Sequence, residues 1–89
     1  PERAPESAAG KEAARRKRWI ASLEEKIASC ETQIETIETR LWEEALTLSS
    51  VAAHELSKEK AARKAELDAL MEEWARLSEE AERAAHGAP

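Results

Sequence analysis

The sequence predicts an all-α fold, an antiparallel two-helix coiled-coil hairpin, and three observations carry that prediction. Ile20, Leu23, Ile27, Cys30, Ile34, Ile37, Leu41, Glu44 and Leu48 follow the alternating three-four spacing of a coiled-coil seam. Leu56, Lys60, Arg63, Leu67, Leu70, Trp74, Leu77, Ala81 and Ala84 do the same. The two runs do not share one phase: extending the first past Ser50 would bring Glu55, Lys58, Glu72, Arg76, Glu79 and Arg83 onto the seam. One continuous helix is therefore disfavoured. Finally, 37% of the 89 residues are charged and Phe and Tyr are absent, the long-helix composition rich in Ala, Glu, Lys, Leu and Arg.

Taken in order, residues 1–10 hold two of the three prolines together with Ser7 and Gly10, and read as the end of a linker. Helix one is expected over about residues 11–48, because no Gly or Pro interrupts the chain from Lys11 to His86. The turn is placed at about residues 49–52, where Ser49 or Ser50 can cap the second helix. Helix two is expected over about residues 53–86, with residues 87–89 as a tail that opens on a helix-stopping Gly87.

Folding the chain about Ala52 pairs Leu48 with Leu56, Ile37 with Leu67, Ile34 with Leu70, Cys30 with Trp74 and Ile27 with Leu77. The same fold brings Lys26 to Glu80, Arg40 to Glu66 and Glu38 to Lys64, three opposite-charge pairs flanking the seam. It also sets Glu44 against Lys60 and Arg63 against Leu41, so the distal third is expected to be the softer part. A monomeric hairpin is the expected state.

Such a chain has too little bulky apolar material to line a substrate pocket, so no catalytic residue and no cofactor are expected. No apolar run approaches the roughly 20 residues of a membrane span, and residues 1–10 do not read as the apolar h-region of a signal peptide. Cys30 is the single cysteine, which excludes an internal disulfide and fits a reducing, cytoplasmic setting. It has no His or Asn beside it and reads as a small core residue. His54 and His86 lie far apart, so no metal site is expected, and Gly10 and Gly87 do not make a phosphate-cradling loop. The chain begins at Pro1 without an initiating Met, as a piece of a longer protein would.

The net charge of −5 conceals an uneven distribution. Lys11, Arg15, Arg16, Lys17 and Arg18 stand against Glu12 alone, while residues 21–48 carry seven glutamates against Lys26 and Arg40. Four consecutive cations cannot share one helical face, so they form a collar suited to phosphates. Trp19 beside them could stack on a base or cover the end of the seam. Nucleic acid is thus the expected partner of Lys11, Arg15, Arg16, Lys17, Arg18 and Trp19. The cations Lys58, Lys60, Arg63 and Lys64 are interleaved with Glu55, Glu59 and Glu66 and are expected to pair within their own helix. Trp42 and Leu46 point away from the seam and are a possible protein contact.

The segment from Leu67 to Glu80, with Leu70, Glu72, Glu73, Trp74 and Leu77, resembles the second helix of the C-terminal coiled-coil domain of ABC-F ATPases, particularly the Uup-like members. Ile20, Leu23, Ile27, Ile34 and Leu41 match the first helix of that family. The chain departs from it at the tip, which lacks the frequent acidic residues and proline between Leu48 and His54, and in the lead-in from Lys11 to Arg18. The resemblance implies a non-catalytic domain that contacts DNA or ribosomal RNA, with two ATPase domains upstream in the parent protein. Two further readings stay open: a protein–protein tether or oligomerisation hairpin, and the RNA-binding coiled-coil arm of a tRNA synthetase.

Overall fold

A computed structural model describes residues 8–87. They form two helices, α1 (Ala8–Glu43) and α2 (Ser50–Gly87), which pack along their length into a rod of 69 × 26 × 15 Å. Both are long because alanine and long-chain residues dominate and nothing in their interiors breaks the backbone ladder. Neither helix is apolar enough over a sufficient length to cross a membrane.

The seam holds the residues that the heptad pattern selects. Leu23, Cys30, Ile34, Ile37 and Leu77 are buried, and Ile20, Ile27, Leu41, Leu56, Leu67, Leu70 and Trp74 are half-buried. Ala84 at the open end is exposed.

The helices end in different places from those expected. Helix α1 begins at Ala8, so the last three residues assigned to the linker are helical; residues 1–7 lie outside the described residues, as do 88 and 89 of the tail. It stops at Glu43 rather than running to Leu48. The cause is local. The Glu44 carbonyl accepts hydrogen bonds from the backbone N–H of Thr47 (3.0 Å) and Leu48 (2.9 Å) and from the Thr47 hydroxyl (3.2 Å), which closes the turn on itself. Ser49 then caps α2, its hydroxyl oxygen accepting from the Ala52 N–H at 3.0 Å while its carbonyl accepts from the Ala53 N–H. No described residue has a positive φ, so the reversal needs no glycine.

Because the turn lies earlier, α2 is displaced by one heptad along α1 from the register expected of a fold at Ala52. The Trp74 indole N–H donates to a Glu24 carboxylate oxygen at 3.0 Å. Lys60 reaches Glu38 at 3.1 Å. The Cys30 thiol donates to the Arg63 carbonyl at 3.0 Å and lies beside Leu67. These contacts set Cys30 opposite Leu67 rather than Trp74, and Ile27 opposite Leu70 rather than Leu77. Trp74 instead faces Leu23, Lys60 faces Ile37, and Arg63 faces Ile34. The expected pairs Lys26–Glu80, Arg40–Glu66 and Glu38–Lys64 do not close among the described residues. Arg40 bonds Glu44, the first residue of the turn after α1, at 3.4 Å, and Arg63 bonds Glu66 within α2 at 2.6 Å.

The displaced register has a physical advantage. It sets Ala13 opposite Ala84, Arg16 opposite Ala81 and Ile20 opposite Leu77, so the two helices run alongside each other to their free ends. A fold at Ala52 would leave the start of α1 with no partner. The polar layers remain in the distal half: the Lys60 stem lies along the seam with its ammonium at Glu38, and the Arg63 Nε is buried with no hydrogen-bond partner among the described residues.

Candidate nucleic-acid interface

The cationic collar occupies the second and third turns of α1, at the open end of the rod. Lys11, Arg15 and Arg18 follow one another at four- and three-residue steps, so they share the outward face of the helix. All three are exposed, as is Lys17. Arg16 falls on the seam line opposite Ala81 and is half-buried. None of the five closes an ion pair within 4 Å among the described residues. The distal cations differ: Lys58 lies 3.9 Å from Glu55, Lys60 pairs across the seam with Glu38, and Arg63 pairs with Glu66. Pairing within the helix therefore accounts for Lys58 and Arg63 but not for Lys60, whose partner is on α1. Lys64 closes no ion pair among the described residues.

Two clefts flank the collar. On one side Arg16, Lys17 and Ile20 meet Ala81, Ala84 and Ala85, where small side chains on both helices leave a shallow groove. On the other, Arg15, Arg16 and Trp19 meet Leu77 and Glu80, with Glu12 at the edge. Trp19 is 48% exposed. Sequence reasoning set Glu80 against Lys26; the displaced register brings it beside Trp19 instead. The collar is thus bordered by an α2 carboxylate, that of Glu80. The signal that could have found this was the heptad position, since Trp19 and Glu80 both precede a seam residue on the same flank.

At the other end, Trp42 is 84% exposed and Leu46 fully so. Val51, at the start of α2, is 73% exposed and adds a third apolar side chain to the tip, one that the sequence reading passed over. Cys30 is buried, and its thiol is pushed above its ordinary pKa by loss of solvent, with the Glu66 carboxylate adding to the effect. It is a poor nucleophile there. No group of three His, Cys, Asp or Glu side chains among the described residues is placed to hold a metal ion.

Comparison with known proteins bears on the parent. No curated protein and no solved structure matches the chain significantly. The family model of the ABC transporter C-terminal domain matches residues 11–79, which take in the collar, the turn and the seam as far as Leu77. With most of the hairpin inside that match, the chain belongs to the ABC transporter C-terminal domain family.

Proposed function

We propose that this hairpin is a non-catalytic nucleic-acid-binding domain of an ABC-F type ATPase of the cytoplasm, acting through the basic collar of α1. The carrying observation is the collar itself: five cations within eight residues, none in an ion pair among the described residues, at one end of an otherwise acidic rod. Membership of an ABC protein family supports a domain that works beside ATPase units, and Leu70, Glu72, Glu73, Trp74 and Leu77 favour the ABC-F branch. The ligand is DNA or RNA, held mainly through its phosphates, so binding is sequence-tolerant and weakened by salt.

Replacing Lys11, Arg15 and Arg18 by Glu tests this, because all three residues are exposed and lie off the seam. Binding of an oligonucleotide should be lost while helicity by circular dichroism is kept. In the parent the logarithm of affinity should fall with the logarithm of salt by about 0.7 per phosphate neutralised on a single strand, or about 0.9 on duplex DNA. Changing Lys58 and Lys64 should matter much less. Equal loss from those tip lysines, or no salt dependence, would remove the collar as the site.

A second reading has its own observation. Trp42, Leu46 and Val51 make an exposed apolar tip far from the collar, which favours a protein contact there. Serine at Trp42 and Leu46 would then impair the parent protein without changing oligonucleotide affinity.

A further inference from the structure

We infer that the cleft beside Trp19 takes an unstacked nucleobase, so that the hairpin prefers single strands to duplex. This rests on the collar reading and adds to it a second kind of contact. The cleft measures about 160 Å³, room for a single planar ring, and lies between the two helices. Three chemistries converge on it. Trp19 offers half its surface to solvent, and its indole N–H donates to no protein group among the described residues, unlike that of Trp74. Arg15 and Arg16 sit in the same cleft and close no ion pair among the described residues, although Glu12 and Glu80 line it too.

An unpaired nucleotide complements all three. Its phosphate is the partner of the guanidinium groups, its ring face stacks on the indole, and an exocyclic amino group donates to the Glu80 carboxylate. A duplex can satisfy the first alone, because its ring faces are hidden in the stack. The carboxylate also sets a direction among pyrimidines. Cytosine carries an amino group where thymine carries a carbonyl oxygen, and Glu80 accepts from the first and repels the second. Trp19 is thus a binding residue rather than a cap on the end of the seam.

Strands of equal charge and different bases separate base contact from phosphate contact. The probes are a 12-nucleotide oligodeoxycytidine, the thymidine strand of equal length, and a strand of abasic sugars with every phosphate retained. With the whole chain, the cytidine strand should bind best, and the abasic strand about tenfold more weakly at the same salt. Trp19→Ala should remove that difference while preserving the salt slope, and Trp19→Phe should retain most of it. Glu80→Gln should abolish the preference for cytidine over thymidine. If the abasic strand binds as well as the others, the base cleft is overturned and the collar stands. If no strand binds at low salt, the collar reading fails, and this inference with it.

Discussion

Cys30 is held by two interactions of different kind: contact with Leu67 across the seam, and a hydrogen bond from its thiol to the Arg63 carbonyl. Burial and the nearby Glu66 raise its pKa, so the folded state favours the neutral thiol. The unfolded chain ionises first. Stability from this residue is therefore complete below about pH 8.5 and declines as the pH rises through the folded-state value. Urea midpoints of the parent and a Cys30→Ala variant should show the variant weaker at pH 7 and the gap between them narrower at pH 10. A constant gap would mean that the thiol is not shielded. At this scale the sequence was readable: a lone cysteine on a seam, with no catalytic partner, is a core residue. Its neighbours were not, since they depend on where the second helix stops sliding.

That sliding is decided by the turn. Heptad seams match themselves after every seven residues, so the apolar pattern alone admits several registers. The flanking charges do not break the tie. Lys26, Arg40 and Glu38 find opposite charges in the register of a fold at Ala52. In the register observed, Lys26, Arg40 and Glu31 fall across from Glu73, Glu59 and Lys64. The discriminating signal was Thr47, which bonds the Glu44 carbonyl and ends α1 early. Two measurements follow. Ser49→Ala should cost about 1 kcal/mol in chemical denaturation, whereas Ser50→Ala should cost little, because only Ser49 accepts from the α2 backbone. Leu67→Cys should form an intramolecular disulfide with Cys30 under mild oxidation, seen as a mobility shift on a non-reducing gel, and Trp74→Cys should not. The reverse result would restore the register of a fold at Ala52.

As a whole the molecule is a rod of radius of gyration 20.1 Å with its two functional candidates at opposite ends. The collar was legible from a run of cations, and the tip from Trp42 and Leu46, because both are local features. The cleft at Trp19 was not, because Glu80 and Leu77 reach it from a helix some sixty residues away in sequence. The alanine facing at Ala13, Ala81 and Ala84 carries a further consequence, in the rate at which the backbone opens. Small side chains bury little apolar surface, so each turn there is held by far less than the turns around Leu23, Ile34 and Leu77. Amide hydrogen exchange should therefore be fastest along Ala8 to Lys17 and Ala84 to Gly87 and slow by orders of magnitude toward the middle of the rod. The collar is thus carried on backbone that frays in the free protein, and an oligonucleotide bound across it should slow exchange at both helix ends together. A ligand that protects the tip amides instead would place the working end of the hairpin at Trp42.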